Sequence, residues 1–216
     1  MKKKSFLPFL FLAFSFLAMG FQCYRDFPIT PYTYQFAEKM MLYPYKKQYS
    51  INDTIWIEYR TADKSMYDKL SRSRINTDTT SLAQYFYYHK RYPSSSLGDI
   101  FCSTVVASGS NPVFDTPIWY NTLKVESGCS SSFYFLKVGF VPKTTGIYSI
   151  ELPSNLGLTN CPTRISHIYC SYGFTFDLAD CNKDVYLSIP PQSRGGEQGF
   201  VDVRIDNKEY FVFKVE

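Results

Sequence analysis

Apolar and polar residues alternate along several stretches of this chain, a pattern typical of strands that bury one face. The clearest stretch is 49–60, in which Ile55, Ile57 and Tyr59 alternate with more polar neighbours. Similar patterns predict strands at 34–42, 82–92, 99–106, 117–126, 133–141, 146–152, 200–205 and 209–215. Residues 62–70 fit a helical turn or a loop, because Met66 and Leu70 are spaced four apart. The pattern therefore predicts an all-β chain.

The number of strands predicts one antiparallel β-sandwich domain over residues 34–216, with about seven to nine strands. Residues 153–199 interrupt the regular pattern, since they hold three cysteines, Pro190-Pro191 and Gly195-Gly196. We expect this segment to be a long, irregular, cysteine-containing excursion. Residues 200–205 and 209–215 are then expected to close the chain as a hairpin.

A turn with glycine precedes a tyrosine at Gly146-Ile147-Tyr148, and apolar alternation follows. This order resembles the penultimate strand of immunoglobulin-like sandwiches, where a corner tyrosine bonds to nearby backbone. Antibody domains place a cysteine two residues after that tyrosine, whereas this chain has Ile150. The resemblance implies an immunoglobulin-like sandwich without the antibody-type bridge.

The N-terminus has the composition of an export signal. Three lysines precede a fourteen-residue apolar run, Phe6 to Met19, which is too short to span a bilayer comfortably. Signal peptidase could cut after Gly20, because Ala18 and Gly20 are small. The alternative is lipoprotein processing, which would make Cys23 the acylated N-terminus. We predict a signal peptide at 1–22 and an extended tether at 23–33, with lipidation at Cys23.

Three short stretches support the lipid alternative through a resemblance. They are Cys23-Tyr24-Arg25-Asp26, the run from Tyr49 to Ile57 and the run from Lys208 to Val215. Together they resemble uncharacterised cell-envelope lipoproteins of Bacteroidota with a β-sandwich domain. The resemblance implies an exported protein of the cell envelope, anchored in the membrane by lipid. A secreted or periplasmic location is the alternative.

Charge and motifs exclude several classes of function. Loss of Lys2, Lys3 and Lys4 with the signal lowers Lys+Arg from 23 to 20, against 19 Asp+Glu. No basic footprint for nucleic acid remains. The chain has two histidines, no phosphate-binding glycine loop and no metal-ligand motif. We therefore expect a noncatalytic protein without cofactor or metal, and a hydrolase is the less favoured alternative.

Six cysteines would be paired by default in an exported chain. Apart from Cys23, the candidates for disulfides are Cys102, Cys129, Cys161, Cys170 and Cys181. Lipidation of Cys23 would leave an odd number, so at least one thiol would stay free. Without lipidation, all six could form three bridges.

Aromatic residues make up 19% of the chain, with nineteen Tyr and nineteen Phe. Tyr and Trp have flat apolar faces and polar edges, which suit stacking on sugars or anchoring of a protein partner. The first candidates for ligand contact are Trp56, Tyr85, Tyr87 and Trp119. Packing inside a sandwich is the alternative role for each. We thus expect a binding or structural module, and a carbohydrate-binding module is the alternative. The partner would be a protein or a glycan.

Overall fold

Two β-sheets and three short helical segments make up the part of the chain described by the computed structural model. That part comprises residues 34–77, 80–94, 102–106, 111–113, 122–127, 132–153, 158–160, 170–194 and 198–216. All of it belongs to one compact unit, Tyr32–Glu216. None of its helices is long and apolar enough to cross a membrane. The mostly β, sandwich-like architecture confirms the all-β prediction.

The first sheet has seven strands. They are β1 (Tyr34–Tyr43), β3 (Ile55–Arg60), β4 (Ser65–Asp68), β5 (Ser73–Asn76), β7 (Cys102–Val106), β10 (Phe135–Pro142) and β13 (Cys170–Phe176). Their order is β5-β4-β1-β3-β10-β7, with β13 also paired to β1. Residues 65–68 are thus a strand, neither the helical turn nor the loop that the sequence suggested. Asp68 explains part of this difference, because its carboxylate accepts a hydrogen bond from the distant backbone N–H of Gln35 at 2.7 Å.

The second sheet also has seven strands. They are β2 (Gln48–Tyr49), β6 (Thr80–Tyr92), β8 (Asn111–Val113), β9 (Thr122–Ser127), β11 (Gly146–Glu151), β12 (Leu158–Asn160) and β14 (Tyr210–Val215). Their order is β2-β14-β11-β6-β9-β8, with β12 also paired to β6. The fourteen strands exceed the expected seven to nine, and eleven remain when the two- and three-residue pieces β2, β8 and β12 are set aside.

The sheets are not purely antiparallel, because β1 takes a parallel partner. Its residues 34–40 pair in parallel with β13, whereas residues 41–43 pair antiparallel with β3. The first sheet is curled into a half-barrel. In the second sheet, β14 and β2 are also parallel.

The excursion at 153–199 contains regular structure, which corrects the expectation of an irregular segment. Strand β13 lies within it and buries Phe174 and Phe176 against the core. Helix α1 (Lys183–Leu187) and a 3-10 turn (Pro191–Ser193) follow. The buried Asn182 donates a 2.7 Å hydrogen bond to the Val212 carbonyl, which ties α1 to β14. Contacts with distant strands, rather than local pattern, order this segment.

The predicted C-terminal hairpin is wrong, because its first arm is helix α2 (Gln198–Asp206). Val201 and Ile205 lie one helical turn apart and are buried, whereas Val203 is exposed. The helix ends in a Schellman motif: Glu209 N donates to Arg204 O and Lys208 N to Ile205 O, both at 2.9 Å. Lys208 has the left-handed φ of 63° that this cap requires. The supposed hairpin turn is therefore a helix cap before β14.

Aromatic side chains fill much of the space between the sheets. Phe86 of β6 meets Phe140 of β10 with ring centroids 6.0 Å apart, and Tyr148 of β11 stacks on Phe213 of β14 at 5.6 Å. The Tyr148 hydroxyl donates to the Thr144 carbonyl at 2.8 Å, which is the corner contact expected from the sequence. Much of the high aromatic content is thus used in packing.

Candidate functional site

Among the described residues, the outer side of β3 brings together aromatic rings, a carboxylate and cations. Ile55 and Ile57 are fully buried, so their neighbours Trp56, Glu58 and Arg60 are directed to the opposite side of the sheet. The alternation in the sequence predicted this division of the strand. We call the outer surface formed by Trp56, Glu58, Arg60 and the side chains beside them the β3 face.

Neighbouring strands add a tyrosine and a lysine to the β3 face. Tyr43 of β1 lies opposite Trp56, and Lys137 of β10 lies opposite Glu58. The Lys137 ammonium is 5.3 Å from the centre of the Tyr43 ring and 5.1 Å from that of Trp56. One cation therefore contacts both aromatic rings.

Glu58 is held in its charged form by two donors. The Tyr43 hydroxyl donates to Glu58 Oε2 at 2.6 Å, and Lys137 Nζ lies 3.1 Å from the same oxygen. The Tyr43 hydrogen bond, followed by the contacts of Lys137, outweighs burial and lowers the pKa of Glu58. Hydrogen bonds to Tyr43 and Glu58 raise the pKa of Lys137. A carboxylate with a lowered pKa is ionised at neutral pH and is therefore a poor general acid.

Trp56 rests on a glycine in the neighbouring strand. Gly139 is its partner in β10, and a Cβ there would lie 3.0 Å from Trp56 Cζ3 and 2.8 Å from Thr54 Cγ2. The absence of a side chain lets the indole lie against the β10 backbone. Trp56 is consequently half-buried, with part of its ring still open to solvent.

Gly139→Ala is expected to displace the Trp56 indole and lower the free energy of unfolding by about 1–3 kcal/mol, as overpacking does. The added methyl would be closer to Trp56 and Thr54 than van der Waals contact allows. Urea unfolding and the tryptophan emission maximum measure the two effects. Val105→Ala, at the exposed position opposite Gly139 in β7, is the control and should change neither. An unchanged emission maximum in Gly139→Ala would contradict the prediction.

Arg60 forms the other end of the β3 face. Its guanidinium carbon lies 5.1 Å from the Phe133 ring centre and 6.0 Å from the Phe135 ring centre. Arg60 is exposed, and within the described residues no carboxylate lies within ion-pair distance of it. Two rings thus orient a cation whose hydrogen-bond donors remain available.

The other predicted aromatics do not join this surface. Tyr85 and Tyr87 lie on β6 of the second sheet and are half-buried, and Lys124 Nζ is 5.4 Å from the Tyr85 ring centre. Phe86 between them is directed into the core. Trp56 and the two tyrosines are therefore on opposite outer sides of the sandwich. Trp119 is outside the described residues.

The two described cysteine side chains, those of Cys102 and Cys181, are free thiols, and no disulfide occurs among the described cysteines. The bridges expected at these two positions stay a prediction that thiol titration decides. Cys181 is buried in the core and Cys102 is partly buried on β7. Burial raises the pKa of both thiols to about 12. They act here as small apolar side chains. The predictions for Cys23, Cys129 and Cys161 lie outside the described residues, as does the side chain of Cys170.

The described residues bring together no recognisable catalytic set. Glu58 lies on the first sheet and Glu126 on the second, where it accepts a hydrogen bond from Ser81, so these carboxylates do not converge. His89 is largely buried, and desolvation followed by the charge of Arg91 lowers its pKa to about 4. No group of three potential metal ligands occurs within the described ranges. Three further side chains of the types that a hydrolase uses, Asp99, Asp115 and His167, are outside them.

Comparison with known proteins gives no family assignment. No protein-family model matches the chain. No curated protein matches it either. The interpretation of the β3 face therefore depends on its geometry and chemistry alone.

The sequence identified one strand of this surface but not its partners. Tyr43, Lys137 and Gly139 were missed, as were the rings beside Arg60. Their strands join β3 through pairings between β1, β3 and β10. The alternation of Phe135, Lys137 and Gly139 with buried residues is visible in the sequence, and it would have placed all three on an outer face. Only the pairing of β10 with β3 brings them to Trp56.

Proposed function

We propose that this protein is a noncatalytic binding module of the cell envelope, exported and tethered by a lipid on Cys23. The observation that carries the proposal is the β3 face, where aromatic rings and charged groups lie together on the partly exposed outer side of the sheet. Its carboxylate and its lysine neutralise each other, an arrangement that favours recognition over catalysis. The export signal and the resemblance to Bacteroidota envelope lipoproteins support the location.

The proposed architecture is an immunoglobulin-like sandwich. Support comes from two packed sheets and from the Tyr148–Thr144 contact at the start of β11. Such sandwiches present broad sheet faces as well as loops, so a binding surface on β3 is compatible with the fold. The parallel β1–β13 pair and the two helices would be additions to the basic plan.

The binding role can be tested by co-sedimentation of purified mature protein with envelope fragments from a Bacteroidota bacterium. Wild type is expected to sediment at least about tenfold more than the double variant Trp56→Ala/Arg60→Ala, since the loss of two contact residues weakens hot-spot binding by that order. Circular dichroism establishes that the variant is folded, and Tyr85→Ala is a matched aromatic control on the other sheet. Equal sedimentation of wild type and the double variant would overturn the proposal.

The anchor is tested separately by intact-mass spectrometry of the mature protein from its native membrane. A diacylglyceryl thioether on Cys23 should add the mass of its acyl chains, and the Cys23→Ala variant should lose both that mass and its palmitate label. A wild-type chain that starts at Phe21 without added mass would refute lipidation. That result would leave the binding role in place for a soluble exported protein.

A further inference from the structure

The two ends of the β3 face differ in chemistry, and this difference indicates a ligand. One end has the half-buried rings of Trp56 and Tyr43, which share the Lys137 ammonium at 5.1 and 5.3 Å from their centres. A ligand ring that packs on Trp56 therefore meets an aromatic face bordered by a cation. The other end has Arg60, a planar cation with free donors. The two residues are four positions apart on one strand, so their Cα atoms are separated by about 13 Å. A ligand that spans both ends must combine an apolar face with an anionic group.

We propose that the β3 face binds an acidic glycan, with a pyranose ring against Trp56 and a carboxylate or sulfate on Arg60. This inference rests on the proposed binding role of the face and adds the class of its ligand. The C–H face of a sugar ring is apolar and its rim carries hydroxyls, which matches an indole flanked by Glu58 and Tyr43. A carboxylate or sulfate can accept two parallel hydrogen bonds from one guanidinium.

Arg60, rather than Lys137, is the anion-binding cation of this surface. Lys137 already has Glu58 at 3.1 Å, so its charge is compensated. Arg60 forms no ion pair with a carboxylate of the described residues and acts on Glu58 only from a longer distance, while the Phe133 and Phe135 rings limit its freedom. Less conformational entropy is lost when such a side chain binds a ligand. The site therefore has one local positive charge on a mature chain whose overall charge is close to zero.

The position of β3 in the sheet favours a glycan over an extended peptide. Peptides that add to a sheet need a free strand edge, whose N–H and C=O groups supply most of the affinity. Over residues 56–58 both edges of β3 are occupied, by β1 on one side and by β10 on the other. A ligand on this surface can use only side chains, and ring stacking with charge-assisted hydrogen bonds is the mode that those side chains offer.

Calorimetric titration of the mature protein with a panel of uronate and sulfated oligosaccharides tests the inference. For oligogalacturonate, the methyl-esterified oligomer of equal length is the neutral control. Arg60→Ala should weaken binding of the acidic oligomer about tenfold or more, the loss of one charge-assisted pair, and leave the ester unaffected. Trp56→Ala should weaken both ligands. Lys69→Ala, which removes an exposed cation from the β4–β5 turn, should change neither.

Several outcomes would overturn the inference. They are a panel without any binding member, equal affinity for acid and ester, and an equal effect of Arg60→Ala and Lys69→Ala. Thermal unfolding of each variant separates lost binding from lost folding. If envelope co-sedimentation depends on the β3 face but survives periodate and is abolished by protease, the partner is a protein. The binding role would then stand while the glycan inference falls.

Discussion

Gly146→Ala is expected to lower the free energy of unfolding by about 3 kcal/mol, within the range for a strained backbone combined with a steric clash. Gly146 has a φ of 145°, a conformation that residues with a side chain rarely adopt. A Cβ at this position would lie 2.6 Å from the Tyr92 carbonyl oxygen and 2.7 Å from Lys90 Cε. The lysine can move, but the carbonyl belongs to the backbone of β6 and cannot.

The position of Gly146 makes relief of this clash costly. It begins β11, beside an irregularity where Ile147 pairs with Tyr92 but Tyr148 pairs with Lys90. The next residues supply the Tyr148 corner and the buried Ile150. A shift of the β11 backbone would disturb its pairing with both β6 and β14. We therefore expect the whole loss of about 3 kcal/mol in the free energy of unfolding, with no part of it relieved by a local adjustment.

Urea unfolding monitored by circular dichroism measures the effect. Thr145→Ala is the matched control, since Thr145 is exposed in the same turn and its substitution should change stability by no more than about 0.5 kcal/mol. Unfolding of the two variants at the same urea concentration would contradict the predicted clash at Gly146. Increased sensitivity of Gly146→Ala to protease would be consistent with a larger unfolded fraction.

Local pattern predicted the strands well where each has one buried face. In β3 and β9 the buried and exposed positions alternate along the whole strand, so the sequence was sufficient. It failed for α2, where Val201, Val203 and Ile205 alternate as in a strand but the residues form a helix. Such a short segment fits both the two-residue period of a strand and the 3.6-residue period of a helix. The salt bridge of Arg204 with the distant Glu151 is a tertiary contact, which the local sequence does not reveal. Local alternation could not decide between a strand and a helix.

Non-local pairing explains the remaining differences. The parallel register of β13 with β1 joins residues 136 positions apart, as in the pair Tyr34 and Cys170, and no local signal specifies it. The same limitation applies to the β3 face. Its outward Trp56 was predictable from alternation, but the contacts of Trp56 with Lys137 and Gly139 depend on the β3–β10 pairing. The aromatic content alone could not separate Trp56 from core rings such as Phe140.

Cys102 and Cys181 are expected to be almost unreactive in the folded protein and fully reactive once it unfolds. Burial raises the pKa of each from an ordinary 9.0 to about 12. At pH 8 the thiolate fraction of each is therefore about 1000-fold smaller than for an exposed thiol, and thiolate is the reactive form. Restricted access slows the reaction further, especially for the buried Cys181.

The same shifts predict weaker folding at alkaline pH. Between pH 9 and 12 the folded state keeps protons on these thiols that the unfolded state has released. The unfolded state then binds fewer protons, so stability decreases as pH rises through this window. Below pH 9 both states are protonated and the two groups have little influence. The urea concentration at the midpoint of unfolding should be lower at pH 10 than at pH 7. The double variant Cys102→Ala/Cys181→Ala should reduce this difference.

Thiol titration with and without guanidinium, in the absence of reductant, tests both free cysteines. Each should add one thiol on unfolding, and Cys102→Ala and Cys181→Ala should each remove one. Failure of either cysteine to titrate in denaturant would mean that it is bridged, as the sequence first suggested. The count also informs the anchor by parity. With these two free, lipid on Cys23 leaves three other cysteines, so the mature protein should show an odd total of thiols. An unlipidated Cys23 leaves four, so the total would be even.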